Sequence, residues 1–319
     1  MAHRTTRFSA ADTASDTAMD WGYVATQNGR LFGSSVQAGT SWTNYWGGSD
    51  AGWYDARSGA VTFPICSDRL FCNEAASGAL AWEYRRGLVL NSTITISDDT
   101  VYFVESRNRD IMAADARRVG DPKMWKDLHL VAIDAESGSP RWEQKLDPMS
   151  QQVVFCLAHA ADQLTLVSSA NTAYTVTSFR DTDGTPRWTQ TAAWPEGKGD
   201  HGKAMSRPAI VGDRIFVRPA VLALQDGAVL PESMPGGGCG TYACTASSLF
   251  FRSGTVTMWD PDNGQQSTWS RLRPDCWLST IPAGGMLLSP EGGGGCSCGS
   301  WLETSIGFMP KVFDQQVSP

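Results

Sequence analysis

The chain repeats itself, and that constrains its fold more than any single motif. Seven strings, ATQNGRLFG, ICSDRLFCN, ISDDTVYFV, HAADQLTLV, IVGDRIFVR, TASSLFFRS and PAGGMLLSP, each set a polar or glycine pair ahead of an alternating apolar run. Their turn positions fall near Asn28, Asp68, Asp99, Asp162, Asp213, Ser248 and Gly285. An apolar run, a short turn rich in Asn, Asp or Gly, and a second alternating run predict a β-hairpin.

A second signature follows several hairpins in phase. NEAASGALAW, IDAESGSPRW and RDTDGTPRW place Gly78, Gly138 and Gly184 ahead of Trp82, Trp142 and Trp188 by the same spacing, and WDPDNGQQSTW stretches it by one residue to Trp269. LALQDGAVL keeps the turn at Gly227 without the tryptophan. The pattern predicts a strand, a tight turn in which glycine supplies a positive φ, and an outer strand whose indole fills the gap between neighbouring sheets. A small antiparallel sheet cannot bury both faces alone, and stacking such sheets in a ring does. Hairpins separated by about 30 to about 65 residues match propeller blades carrying variable insertions.

The expected fold is therefore all-β: a β-propeller of four-stranded antiparallel blades, with about seven repeat units, six to eight blades and a ring that need not be complete. It is expected over residues 21–312, after a leader at 1–20 and before a tail at 313–319. The longest insertion, ESRNRDIMAADARRVGDPKMWKDL from Glu105 to Leu128, reads as a solvated excursion with room for a short helix. Composition agrees: 13 Trp, 32 Gly and 16 Pro against four His describe short strands and tight turns. The net charge of −7 is spread along the chain with no basic stripe, which excludes a nucleic-acid footprint. The first 20 residues carry no apolar run, so neither a signal peptide nor a membrane span is read there.

Eight cysteines stand at Cys66, Cys72, Cys156, Cys239, Cys244, Cys276, Cys296 and Cys298. Cys66 and Cys72 flank the turn Ser67-Asp68-Arg69, which would allow a bridge across the hairpin, with buried free thiols an equal alternative. Cys156 lies in the apolar run VVFCLA and reads as core. The C-terminal five are a disulfide or metal cluster: an extended Cys296-Ser-Cys298 aims both sulfurs the same way, and Cys239, Cys276, Cys296 and Cys298 would supply the four thiolates of a Zn²⁺ site if brought together. Disulfides from Cys296 and Cys298 to Cys239, Cys244 or Cys276 are the leading alternative, and an oxidising compartment would suit them. The glycine run before Cys296 is followed by no Lys-Ser/Thr and no helix, which sets phosphate binding aside. Asp200-His201 is the one Asp-His pair in sequence, and the other histidines (His3, His129, His159) are too scattered to suggest a catalytic triad.

The phrase Asp134-Ala-Glu-Ser-Gly-Ser-Pro-Arg-Trp142 resembles the tryptophan repeat of pyrroloquinoline-quinone-type (PQQ-like) β-propellers, and residues 71–82 and 180–188 resemble it more loosely. The C-terminal part resembles an uncharacterised bacterial subgroup of these proteins, whose longer members imply either an N-terminal truncation or a compact variant here. The resemblance implies two functions that fold does not separate. Some members are quinoprotein dehydrogenases holding PQQ and Ca²⁺; others, such as an outer-membrane assembly lipoprotein, are scaffolds without cofactor. This sequence has neither the adjacent cysteine pair of quinoprotein alcohol dehydrogenases nor a Cys-x-x-Cys-His haem site. A quinone bearing several carboxylates would need cations and an aromatic platform, for which Arg207, Arg218, Arg252, Arg271, Arg273 and Trp277 are the candidates, with Ca²⁺ beside it. The bland reading of the same residues is surface ion pairs and blade packing. The expectation is a binding or scaffold module of the bacterial envelope, periplasmic in full-length form, with an unidentified protein or small-molecule ligand; the alternative is a PQQ- and Ca²⁺-dependent alcohol or sugar dehydrogenase.

Overall fold

The computed structural model describes residues 18–40, 64–148, 154–170, 173–194, 207–236, 242–270, 272, 280–290 and 304–309. Within them the fold is an all-β propeller of six small antiparallel sheets. They fall in two compact units: sheets one to three, with the turn Asp226–Ala228, and sheets four to six.

Sheet one holds Met19–Gln27, Arg30–Gln37, Arg69–Glu74 and Leu80–Tyr84 in that order. Its first strand begins two residues before the expected end of the leader. Sheet three is the plainest blade, a meander of Val154–Ala160, Gln163–Ala170, Ala173–Arg180 and Pro186–Ala193. Its second strand is buried at seven of eight positions because both neighbours and both faces are covered, whereas its outer strand alternates. Sheets four and five repeat the meander with Ala209–Val211 to Val229–Ser233 and Ala243–Cys244 to Gln266–Trp269. Sheet six shows three strands, Ile281–Ala283, Met286–Ser289 and Ile306–Phe308.

Six of the seven expected hairpins form, with turns at Asn28-Gly29, Ser97–Asp99, Ala161-Asp162, Gly212-Asp213, Thr245–Ser248 and Gly284-Gly285. The seventh, at Asp68, does not. Cys66–Ser67 pairs with Leu88–Leu90 in sheet two, while Arg69–Glu74 pairs with Arg30–Gln37 in sheet one. Asp68 crosses between sheets, its amide donating to the Ser35 carbonyl at 3.1 Å. Of the two alternatives for Cys66 and Cys72, the bridge does not form, for the same reason, and the buried free thiols do: one lies in the core between sheets two and three, the other in the core between sheets one and two.

Sheet two is larger than a four-stranded blade. Its path runs Pro140–Lys145, Leu128–Asp134, Thr100–Ser106, Leu88–Leu90 and Cys66–Ser67, with Thr95–Ile96 also paired to Thr100–Ser106. The insertion leaving Ser106 is no solvated excursion. Ile111, Val119, Met124 and Trp125 are buried in the core shared with sheet three, and Trp125 stacks on Phe155 at 5.3 Å. It does contain the expected short helix, Arg109–Met112, whose first amides are capped by the Asn108 side chain.

The tryptophans set the spacing between sheets. Trp82, on the outer strand of sheet one, covers Gly138 in the turn of sheet two and donates its indole N–H to the Ala135 carbonyl at 3.0 Å. Trp142 does the same over Gly184, donating to the Asp181 carbonyl at 2.8 Å. Trp188 lies over Gly227, a turn residue of the same compact unit. Each glycine has φ between 70° and 75°, and a Cβ on Gly138 or Gly184 would fall 2.7 or 2.5 Å from the ring above it. Trp269 instead lies 6.4 Å from Phe250 of its own sheet.

Gly29 has the same positive φ with nothing near its missing side chain, so Gly29→Ala isolates the backbone cost, about 1 kcal/mol. Gly138→Ala adds the clash with Trp82 and is expected to cost about 1–3 kcal/mol more in urea unfolding. Equal losses for the two variants would show that the indole does not hold the turn.

Candidate functional site

Each sheet has two edges. The turn edge carries the hairpins between first and second and between third and fourth strands; the crossover edge carries the second-to-third connections and the passages between sheets. At the turn edge, charge fastens sheets two and three each to itself, whereas Arg30 of sheet one reaches Glu136 in the turn of sheet two at 3.6 Å. Arg141, just before Trp142, pairs with Asp99 at 2.9 Å and Asp134 at 2.7 Å, and Arg187, just before Trp188, pairs with Asp162. Asp134 also accepts from the Ser137 amide; the Arg141 guanidinium, then that amide, hold its carboxyl well below the usual carboxylate range.

The crossover edge of the first unit holds a denser network. Glu83 takes Arg69 at 2.9 Å and Arg85 at 3.2 Å. Beside it Glu105, last but one on the strand Thr100–Ser106 of sheet two, is wholly buried. Its Oε1 accepts from the Tyr84 hydroxyl at 2.8 Å and from Arg107 Nε at 2.6 Å; its Oε2 is buried with no hydrogen-bond partner. Arg107 continues to Glu143 at 2.7 Å, and Arg86 reaches the same carboxylate at 3.0 Å. Desolvation pushes the Glu105 carboxyl above its ordinary value, opposed by the Tyr84 and Arg107 hydrogen bonds, whereas the Arg107 hydrogen bond draws Glu143 down. Desolvation, reinforced by the Glu105 charge, also pushes the Tyr84 hydroxyl up.

A third polar group lies in the seam of sheets two and three. His159 Nε2 stands 3.0 Å from Asp181 Oδ2, and the imidazole stacks on Tyr102 with centroids 5.5 Å apart. Neither this pair nor Glu105 was visible from spacing. His159 lies on the first strand of sheet three and Asp181, 22 residues on, in the turn after its third strand, and Tyr84 reaches Glu105 from another sheet. The signal available was a charged residue where the matching strands of sheets one and three, in step with Glu105, carry Ser35 and Ser168.

Of the residues proposed for a quinone, three are described, and all belong to the second unit. Arg207 is exposed just before Ala209–Val211; buried Arg218 directly follows Arg214–Val217; half-buried Arg252 is near the end of Leu249–Ser253. Because Ala209 pairs with Phe216, Arg207 and Arg218 lie at the same crossover edge of sheet four, and Arg252 lies at the matching edge of sheet five. Arg271, Arg273, Trp277, Cys239, Cys276, Cys296, Cys298 and Asp200-His201 lie outside the described residues. Among the described residues no three His, Cys, Asp or Glu side chains converge as a metal site.

Small antiparallel sheets spaced by indoles over glycine turns define a tryptophan-docked repeat propeller of the PQQ-like class. A family model described as outer membrane protein assembly factor BamB matches residues 14–271, and the chain belongs to that family. Similar solved structures include BamB from Moraxella catarrhalis, 13% identical with a TM-score of 0.47 over 76% of this chain and 83% of that one. A quinohemoprotein alcohol dehydrogenase from Pseudomonas putida HK5 is 10% identical, with a TM-score of 0.46 over 90% of this chain and 55% of that one. The exotype rhamnogalacturonan lyase YesX is 12% identical, with a TM-score of 0.51 over 90% of this chain and 56% of that one. At such identities the likeness is one of fold alone. No curated protein matches the sequence. Among the described residues no helix is long and apolar enough to cross a membrane.

Cys66 and Cys72 are buried and Cys244 is exposed. Burial pushes the Cys66 thiol up, and a protonated, shielded thiol is a poor nucleophile. In the native protein an alkylating reagent is expected to modify Cys244 first and Cys66 and Cys72 only after denaturant is added, as read by peptide mass mapping. Early labelling of Cys66 would contradict its placement.

Proposed function

We propose that this chain is a binding or scaffold module of the bacterial cell envelope, serving outer-membrane protein assembly as its family's description names, through contact with a protein partner. The observation that carries the reading is the commitment of cations at the crossover edge of the first unit. Glu83 pairs with both Arg69 and Arg85, and Glu143 with both Arg86 and Arg107, so these arginines are already engaged before a carboxylate-rich quinone arrives. Family membership over residues 14–271 supports the same reading, and a periplasmic location follows from it.

The alternative, a quinoprotein alcohol or sugar dehydrogenase, draws support from one observation: Arg207, Arg218 and Arg252 share the crossover edge of sheets four and five. Titration separates the two. With the full chain, PQQ and Ca²⁺ added together are expected to give no saturable binding by calorimetry and no dye reduction with alcohols or aldoses. Crosslinking in the bacterial envelope is expected to capture a protein of the outer-membrane assembly machinery. Stoichiometric PQQ binding with Ca²⁺-dependent turnover, and no such partner, would overturn the scaffold reading.

A further inference from the structure

A buried carboxylate with one oxygen unpartnered is costly, and sheet two places one at the neck of its insertion. Three ties close that neck. Arg107 Nε donates to Glu105 Oε1 at 2.6 Å, the Arg107 amide donates to the Asp127 carbonyl at 2.9 Å, and the Ser106 hydroxyl donates to the Met124 carbonyl at 3.1 Å. The middle of the insertion is held separately, by its buried Ile111, Val119, Met124 and Trp125 and by the pairing of Ile65 with Arg118. The neck is therefore the part whose order depends on Glu105.

We propose that Glu105 and Arg107 form a proton-operated clasp: a proton added to Glu105 Oε2 turns the ion pair into a weaker hydrogen bond from the guanidinium to a neutral carboxyl and loosens the neck of the insertion. The proton has one place to go. Oε1 already accepts from Tyr84 and Arg107, whereas Oε2 has no partner and faces Gly87, where even a Cβ would come within 2.7 Å. On protonation Arg107 keeps its charge and its contact with Glu143, so the guanidinium is released toward the solvent side rather than stranded.

The charged and titratable groups around Glu105 come from each element packed on it. Tyr84 faces it from sheet one. His129 stands directly opposite on the neighbouring strand, contacting Asp127, which Lys145 also meets. Glu143 and Arg86 act through Arg107. On the other side Glu105 faces Val89, which does not titrate. Burial raises the carboxyl above its ordinary 4.5, so the proton binds in milder acid than for an exposed glutamate. The sign for global stability is opposite to that for the neck. In the window above 4.5 the folded protein holds the proton more tightly than the unfolded chain, so global stability falls as pH rises through it.

Hydrogen-exchange mass spectrometry of the full chain at about pH 5 and pH 7.5, corrected for intrinsic exchange, reads the clasp directly. Peptides covering 105–109 and 126–128 are expected to lose roughly tenfold protection on acidification, about the difference between an ion-paired hydrogen bond and one to a neutral carboxyl, while 111–125 stays unchanged. In Glu105→Gln, a neutral isostere, the neck should exchange at pH 7.5 as the native protein does in acid and show no further pH dependence. Tyr84→Phe keeps the ring against Phe103 but removes a donor that favours the carboxylate, so its transition should move to higher pH. Equal neck protection at the two pH values, a pH dependence that survives in Glu105→Gln, or an unmoved midpoint in Tyr84→Phe overturns the proposal.

Discussion

An indole laid over a glycine turn determines how neighbouring sheets of the first unit meet. Trp82 and Trp142 each fill the space a side chain on the facing turn would take, and each completes the contact with a hydrogen bond to a backbone carbonyl there. The ring needs a partner without a Cβ, and the turn needs a positive φ, so glycine answers both demands at once. The cores follow: residues of sheets one and two form one buried cluster, those of sheets two and three another. Neither sheet of a pair could bury these faces unaided.

The repeat was legible because its parts are local. A hairpin turn and the glycine before an outer-strand tryptophan lie within a few residues of what they determine, so Gly138 and Trp142 could be assigned from spacing. The hairpin at Asp68 misled for the complementary reason. ICSDRLFCN has the local signal of a turn, but Cys66 finds a better place beside Leu90 and Phe71 beside Gly33, a preference set by strands distant in sequence. The insertion misled through its charge, since alternating acids and bases look solvated while Met124 and Trp125 sit among them in the core. Glu105 and the His159–Asp181 pair were beyond spacing altogether, because their partners arrive from other strands and sheets.

Charge is handled differently at the two edges of the sheets. At the turn edge the ion pairs are exposed and recur, as with Arg141 and Arg187, and exposed pairs contribute little to stability individually. At the crossover edge of the first unit a fully buried acid is shared among a tyrosine, an arginine and, through it, a second acid. Removing one member of such a set leaves the others desolvated, so the network is better understood as specifying one arrangement than as adding stability.

Arg141 and Arg187 bind aspartates at the hairpin of their own sheet, closing outer strand onto inner turn within a single module. A sheet fastened to itself in this way carries its own registration and meets its neighbour through a turn that offers a glycine to cover and a carbonyl to accept the indole N–H. Such a unit tolerates copying, loss or enlargement during descent, and sheet two illustrates enlargement: its insertion enters between second and third strands, leaving the Asp99–Arg141 fastening and the Trp142 dock untouched. Diversification in this architecture is thereby channelled to one rim, while the other stays a standard part.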